Sequence, residues 1–413
     1  MSVSARVRPK MDLSGIEIVD FHAHLPRISN LSGYIEEGLA RREFFEMPGN
    51  CHASMLKYLS RVYHCEPSIE QVDKIISKEI DRDFNSYVRS VLDRENLKLV
   101  NLDLFGRKTI ERDAAFSFTP GFKPKRALKQ DFPRDRYVWT YGTTNIIQPA
   151  WLKEQGAENL DDALKLINSD LDDAMKKGCR ALKSLIGYYR PLEITRVDHS
   201  EAGKAYKILM DSSPSRLHPI YGTNVPVYDD PEFKSNLQTL QDFLMRHLLI
   251  YAGQHSIPFE FHMCSIMDSL PDQRNINPSQ LFPILADEEI MKTNIVMLHS
   301  GYPFYQQAAV LPLQFYLTSS NVYIDLSYVC YFFSPVLRDI LMNVLTITPV
   351  DRVLFGTDAF AQAEWFGYST WTMKTVLADV LDELHQKYAW TTEECFQTAD
   401  MILSKNAKKL LRI

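Results

Sequence analysis

The feature that most constrains the fold of this chain is a regular alternation of short apolar runs with longer amphipathic stretches. The runs have the length and composition of buried strands and lie at residues 16–21, 97–104, 136–141, 179–186, 258–263, 294–298, 322–326 and 352–355. Apolar residues recur at helical spacing between them, most clearly at residues 159–177, 231–255, 336–345 and 370–385. Strands joined by crossover helices are parallel. Eight such units predict an α/β fold, the (β/α)8 TIM barrel, although six strands in an open sheet would alternate in the same way.

Two stretches are too long to be simple crossovers. Residues 31–95 have a mostly helical pattern and follow the first predicted strand, so we expect a helical insertion there. Residues 188–230 follow the fourth strand, are rich in Pro, Ser, His and Tyr, and predict a long loop. In a barrel both would lie at the C-terminal face, where either could act as a lid. An oligomer contact or additional packing is the alternative for each. No Gly/Ser linker interrupts the chain, so we expect a single domain over residues 1–413.

The charge balance of the 413-residue chain disfavours nucleic acid as its main partner. Lys and Arg number 46 and Asp and Glu 52, a formal net charge of −6, whereas a phosphate-binding surface would reverse this balance. No apolar run reaches about 18 residues, so we expect no membrane span. The six cysteines form no CxxC pair, which predicts free thiols in a reducing compartment and a cytoplasmic location. We expect a small-molecule substrate and a homo-oligomer.

Histidines and one aspartate stand where four of the predicted strands end. His22 and His24 follow the first run, and residues two apart on a strand face the same side, so both can point inward. His262 ends the fifth run, His299 follows the sixth, and Asp358 follows the eighth. A single histidine at a strand end is more often structural, but four of them with a terminal aspartate favour a metal site at the barrel mouth.

Lys183 lies inside the fourth run, on the same face as Ala181 and Leu185. A charged amine in an apolar barrel strand is unfavourable unless it is paired or modified. Carboxylation by CO2 would turn Lys183 into an anionic ligand that bridges two divalent ions. An unmodified lysine that faces outward or pairs with a carboxylate is the alternative, and the sequence leaves both open.

Four segments carry a resemblance to a known family: IVDFHAHLP, ALKSLIGYYRPLEI, LHSGYPF and VLFGTDAF. With this order of His, Lys, His, His and Asp, the chain resembles the amidohydrolase superfamily of metal-dependent TIM barrels from about residue 16 to its end. The segments look most like the branch that includes domains fused to glutamine synthetase-like proteins. The same large grouping includes decarboxylases of the aminocarboxymuconate semialdehyde type. Residues 188–230 have no counterpart in this pattern.

The resemblance implies one or two divalent metal ions at the barrel mouth. His22, His24 and Asp358 would bind the more buried ion. A carboxylated Lys183 would bridge to a second ion held by His262 and His299. With a single ion, His262 would remain a ligand, and His299 would polarise the substrate carbonyl or serve in acid–base chemistry. Imidazole and carboxylate ligands suit Zn and, with less preference, Mn or Fe.

The activity implied by the resemblance is metal-assisted hydrolysis of an amide or other C–N bond. Asp358 would take a proton from the attacking water and return it to the leaving amine, with His299 as the second catalytic residue. Two ions and a carboxylated Lys183 would favour hydrolysis, whereas one ion leaves a Zn-dependent decarboxylase open. A non-catalytic scaffold barrel is the third possibility.

Three further residues are candidates around the metal site. Arg190 lies just past the fourth strand and could hold a substrate carboxylate in a bidentate manner, or form a salt bridge that fixes the following loop. Tyr302 follows His299 closely and could line the pocket. Asp325 ends the seventh run, where we expect it to orient a ligand histidine.

Overall fold

The computed structural model describes residues 11–25, 51–104, 132–220, 223–265, 272–318, 321–332, 334–359 and 362–413. In chain order the strands are β1 (Ile18–His24), β2 (Leu97–Asp103), β3 (Tyr137–Gly142), β4 (Cys179–Ser184), β5 (Arg216–Ile220), β6 (Thr223–Val227), β7 (Phe259–Phe261), β8 (Asn294–Met297), β9 (Asn321–Asp325) and β10 (Val353–Leu354). Eight of them form one parallel sheet in the order β1-β2-β3-β4-β7-β8-β9-β10, and β5 and β6 form a separate antiparallel hairpin.

Hydrogen bonds between β1 and the chain around β10 close the sheet. The N–H of Phe21 donates to the carbonyl of Phe355 over 2.8 Å, and the N–H of Asp358 donates to the carbonyl of His22 over 2.7 Å. The N–H of His24 donates to the carbonyl of Ala359, also over 2.7 Å. The predicted (β/α)8 barrel is therefore confirmed. The predicted strand bounds hold to within three residues, and β1 extends to include both of its histidines.

The helices surround the barrel. In chain order they are α1 (Cys51–Tyr63), α2 (Ile69–Arg82), α3 (Phe84–Arg94), α4 (Pro149–Glu154), α5 (Leu160–Lys176), α6 (His199–Met210), α7 (Pro231–His255), α8 (Phe282–Leu285), α9 (Tyr305–Gln314), α10 (Val329–Phe332), α11 (Ser334–Ile347), α12 (Glu364–Lys387), α13 (Thr392–Asp400) and α14 (Asn406–Leu411). The four predicted helices correspond to α5, α7, α11 and α12. Side-chain caps set two of their starts: Asn159 accepts from Asp162 N–H at α5, and Asp230 accepts from Glu232 N–H at α7.

The insertion after β1 is helical where the structure describes it. Residues 31–50 of the predicted insertion lie outside the described ranges, and α1 to α3 occupy most of the remainder. The buried residues of α2 are Val72, Ile76 and Ile80, which recur every four positions and form one apolar stripe. The helix α3 in turn packs against β2 and α12, so the insertion is attached to the barrel.

The segment after β4 is more regular than the long loop predicted for residues 188–230. It contains α6 and the β5–β6 hairpin. Asp198 caps α6 by accepting the N–H of Glu201, and the helix buries Ala202, Ala205, Tyr206 and Leu209 at helical spacing. The residues that flank α6 are rich in Pro, Ser and His, so its short helical periodicity does not stand out in the sequence.

Two other expectations concern the chemistry of the chain as a whole. The five cysteines whose side chains are described are free thiols, as predicted: Cys65, Cys179, Cys264, Cys330 and Cys395. Within the described ranges, no helix combines the length and the apolar character that crossing a bilayer would require.

Candidate metal centre

The two histidines of β1 lie side by side at the barrel mouth. Their ring centroids are 5.2 Å apart, His22 is fully buried, and His24 is 9% exposed. The register between β1 and β2 shifts between Asp20 and Ala23, an irregularity of the kind found next to active sites. Asp20 fixes this region, because its carboxylate accepts the backbone N–H groups of His22 (3.2 Å) and Thr357 (2.8 Å).

Asp358 brings its carboxylate between these two imidazoles. Its Oδ1 lies 3.3 Å from Nε2 of His22 and 3.2 Å from Nε2 of His24. Both Asp358 (φ 53°) and His299 (φ 61°) have a left-handed backbone, which costs a residue other than glycine about 1–3 kcal/mol. Such conformations persist where the surroundings enforce them, and they concentrate at functional sites.

His262 and His299 form a pair across the ends of β7 and β8. The ring nitrogens His299 Nε2 and His262 Nδ1 are 3.0 Å apart, and His262 Nε2 donates to the carbonyl of Cys264 over 2.9 Å. On the other side, His299 Nδ1 lies 2.9 Å from the hydroxyl of Ser327, which itself donates to Asp325. His299 Nδ1 therefore carries a proton, so the two facing nitrogens need either a shared proton or a bound cation between them.

Lys183 points into the same cluster and is paired. Its Nζ lies 2.8 Å from Oδ2 of Asp103, at the end of β2, and 3.0 Å from Nε2 of His22. Lys183 and Asp103 are both 2% exposed. This ion pair corresponds to the unmodified, carboxylate-paired lysine that the sequence left open.

A second buried carboxylate lies behind His22. Oε2 of Glu260, on β7, is 3.2 Å from Nδ1 of His22. The other carboxylate oxygen accepts the hydroxyl of Thr140 (3.1 Å) and the amide of Asn101 (3.3 Å). The carboxyl group faces Nδ1 and leaves Nε2 on the side of Asp358, and a carboxyl group in this position is usual behind a ligand histidine.

Burial sets the protonation states of these groups. It lowers the pKa of His22 well below the usual histidine value, and the charge of Lys183 is the next cause. It lowers the pKa of His299 in the same way, and there the charge of His262 is the next cause. Desolvation and Lys183 lower the pKa of His262 to about 3. Burial raises the pKa of Asp325 to about 7 and that of Glu260 well above its usual value. Neutral imidazole is the form that binds metal ions.

The residues present fit a divalent metal ion. Two sets of three residues place ligand atoms within 4.8 Å of one another: His22, His299 and Asp358, and His22, His24 and Asp103. All of these ligands are buried nitrogen and oxygen donors, which suit Zn, Mn or Fe. The facing ring nitrogens of His262 and His299 offer a further position where a cation would interact with both lone pairs.

Not every residue predicted for the site faces it. The guanidinium of Arg190 donates to Asp242 on α7 and to the carbonyls of Glu193 (3.0 Å) and Gln238 (3.3 Å). These contacts match the loop-fixing alternative for Arg190 and leave its guanidinium occupied. Tyr302 is half-buried and its N–H donates to the carbonyl of His299 over 3.1 Å. A substrate-binding role for either residue remains a prediction.

Sequence reasoning missed three members of the cluster. Asp103 shares a strand face with Asn101, Glu260 precedes His262 by two positions, and Ser327 follows Asp325 by two positions. In each case polar residues recur at a spacing of two near a strand end, which places them on one face. That recurrence is the signal that could have identified them.

Comparisons with known proteins give a match at the level of the fold. No family model matches the sequence, and no curated protein matches it. A protein described as a metal-dependent hydrolase from Lactobacillus casei ATCC 334 matches with a TM-score of 0.71 at 16% identity, over 98% of each chain. A uronate isomerase from Thermotoga maritima matches with a TM-score of 0.66 at 14% identity, over 96% of this chain and 95% of that one. A glucuronate isomerase from Caulobacter crescentus matches with a TM-score of 0.62 at 10% identity, over 97% and 92%.

These likenesses extend over nearly the whole chain, and they are likenesses of fold. The chain shares the barrel fold of these proteins. Membership of the amidohydrolase superfamily, and of a particular branch of it, remains a prediction from the sequence resemblance.

Proposed function

We propose that this chain is a metal-dependent hydrolase that cleaves an amide or other C–N bond of a small, carboxylate-bearing substrate. The observation that carries the proposal is the position of Asp358. Its carboxylate contacts Nε2 of both His22 and His24, while its other oxygen lies 4.0 Å from Nδ1 of His299. A metal ligand that also reaches acid–base groups is the arrangement that water activation requires.

His22 and Asp358, together with His24 or His299, would hold the ion. A divalent ion bound there supplies Lewis acidity: it polarises a carbonyl and lowers the pKa of a bound water from about 15.7 towards about 7. Zn is the ion that the donor set favours, with Mn or Fe as the next choices.

The side chains of the site would move the protons. Asp358 accepts a proton from the attacking water and passes it to the leaving amine. His299 presents Nε2 as a proton acceptor, because its Nδ1–H is held by Ser327 and Asp325. The rings of Tyr188 and Tyr328 lie 4.6 Å and 5.5 Å from those of His262 and His299, so aromatic groups border the histidine pair.

Proton transfer at carbon, as in isomerisation of a sugar acid or decarboxylation, is the second candidate function. Two observations favour it. The His262–His299 pair can take up a proton and return it, since its facing nitrogens are 3.0 Å apart. The structures of similar fold include a uronate isomerase and a glucuronate isomerase, whose substrates are small carboxylates.

A substrate panel with the metal-loaded chain tests the proposal. N-acyl amino acids and γ-glutamyl amides would be assayed for amine release, uronates for isomerisation by NMR, and β-keto and phenolic acids for CO2 release. We expect amine release, and Asp358→Asn to reduce it by about 10²–10⁴-fold. The exposed Asp339→Asn is the matched control and should leave the rate unchanged. Turnover of uronates alone would replace the hydrolase by the second candidate.

A further inference from the structure

The two metal-ligand sets share His22, and the amine of Lys183 lies against the set that contains Asp103. Nζ of Lys183 is 2.8 Å from Asp103 and 3.0 Å from Nε2 of His22, two of the three residues in the set that Asp103 completes. We propose that Lys183 is an unmodified ammonium held by Asp103, which takes the place of a second metal ion. The centre then binds one divalent ion, held by His22 and Asp358 together with His24 or His299. This inference rests on the metal site of the proposed function.

The available atoms of His22 allow one ion at the two sets that contain it. Its Nδ1 faces Glu260 at 3.2 Å, so only Nε2 remains for a metal ion. Because both ligand sets use His22, they compete for that one nitrogen. The amine of Lys183 contacts both this nitrogen and Asp103, two of the three residues in the set with Asp103, so it opposes a metal ion most strongly at that set.

The charges of the cluster argue against carboxylation of Lys183. In the described part of the chain, two buried carboxyl groups interact with this ammonium: Asp103, which contacts it, and Glu260. Carboxylation would replace that one positive charge by a negative charge beside Asp103. Two anions in contact in a buried site repel strongly unless metal ions lie between them, whereas an ammonium and a carboxylate with good geometry stabilise each other without a second ion.

The backbone holds the amine in this place. The carbonyl of Lys183 accepts both the N–H (2.7 Å) and the hydroxyl (2.9 Å) of Thr143, and its strand pairs with β3 and β7. The side chain of Lys183 is only 3% exposed. The ion pair is thus built into the barrel wall.

The Zn affinity of Lys183→Met distinguishes an ammonium at this position from a carboxylated lysine, because the two forms predict changes in opposite directions. This substitution removes the charge and keeps most of the volume. For an ammonium, the loss of a competing cation should tighten Zn binding at least about tenfold while the chain still binds one ion. For a bridging carboxylated lysine, the same change should weaken binding and lower the number of ions per chain. The exposed Lys165→Met is the matched control and should change neither quantity.

A measurement on the unsubstituted chain keeps the inference testable if Lys183→Met fails to fold. The protein would be equilibrated with ¹³C-bicarbonate and Zn, and its ¹³C spectrum and Zn content recorded. We expect one Zn per chain, independent of bicarbonate, and no carbamate signal. A carbamate signal or two Zn ions would overturn the inference and leave the metal-dependent function standing. A chain that binds no divalent ion would overturn the proposed function and the inference together.

Discussion

This molecule has two clusters of charged residues that resemble each other in composition and differ in the groups that pair with their carboxylates. The barrel-mouth cluster comprises His22, Asp103, Lys183, Glu260 and Asp358. The helical-insertion cluster lies where α1 and the end of α3 meet α12, and comprises Tyr58, Tyr63, Glu95, Glu364 and Lys374. Each cluster places two or more carboxyl groups near one lysine; in the helical-insertion cluster Glu364 is buried and the side chain of Glu95 is 12% exposed.

In the helical-insertion cluster, the partners of the carboxylates are tyrosine hydroxyls and the lysine. Tyr58 donates to Glu95 over 2.9 Å and Tyr63 donates to Glu364 over 3.4 Å. The amine of Lys374 donates to the backbone carbonyl of Glu95 over 2.7 Å and lies 3.9 Å from its carboxylate. Each carboxylate has its own donor, and the cluster joins the insertion to the barrel.

The barrel-mouth cluster is organised around imidazoles. Glu260 and Asp358 face the two ring nitrogens of His22, whose pKa is lowered by burial, so this imidazole is neutral and supplies no positive charge. An oxygen of Glu260 accepts no hydrogen bond from any described residue. Buried carboxylates alone therefore do not distinguish a functional site from a structural one. The distinction comes from neutral metal-binding nitrogens that converge with carboxylates and leave the charge to be balanced by a cation.

The largest expected effect is the loss of metal from the barrel mouth. The double variant His22→Ala/His24→Ala removes both imidazoles that contact Asp358, and we expect it to abolish stoichiometric Zn binding. Elemental analysis after chelation and reloading measures this, with circular dichroism to show that the barrel is retained.

The matched change in the other region is Glu95→Gln/Lys374→Met, which removes a charge pair of the helical-insertion cluster. It should leave Zn content unchanged. If the insertion variant loses Zn, or the histidine variant keeps it, the contrast between the two clusters is wrong.

A smaller effect concerns the pH dependence of stability. Burial raises the pKa of Glu364 to about 7. A carboxyl group whose pKa is higher in the folded state adds stability that is full below its unfolded pKa of about 4.5 and disappears as the pH rises through about 7. Glu364→Gln should therefore match the parent chain near pH 4.5 and exceed it above pH 7, by up to about 3 kcal/mol.

Denaturant unfolding between pH 4.5 and 8 measures this difference. The exposed Glu288→Gln is the control and should show a difference that does not change with pH. A difference for Glu364→Gln that is equally independent of pH would mean that folding leaves the pKa of Glu364 at its unfolded value, in contrast to Glu260 at the barrel mouth, whose pKa is raised by burial.

The fold and the central ligands could be predicted because they depend on local patterns. Strand ends follow from apolar runs, and His22, His24 and Asp358 stand directly at such ends. The partners of these residues could not be predicted in the same way. Asp103 and Lys183 lie 80 positions apart, and Arg190 pairs with Asp242 in the middle of α7, 52 positions away. Contacts of this range depend on how whole strands and helices meet, which periodicity in one sequence does not encode.

The smallest expected effect tests whether the carboxylate behind His22 supports the metal site. Glu260→Gln keeps the size of the side chain and its contacts with Thr140 and Asn101, but replaces the carboxyl oxygen 3.2 Å from Nδ1 of His22 by an amide NH2. Loss of such a partner typically weakens metal binding by about 10–100-fold. We expect a shift of this size in the Zn dissociation constant, measured by competition with a chelating dye.

The same substitution in the helical-insertion cluster, Glu364→Gln, is the control and should not shift the constant. Equal constants for Glu260→Gln and the parent chain would show that Glu260 only fills the barrel interior. The two clusters would then differ in their imidazoles alone, since a carboxylate beside a ligand histidine would act no differently from one beside a tyrosine.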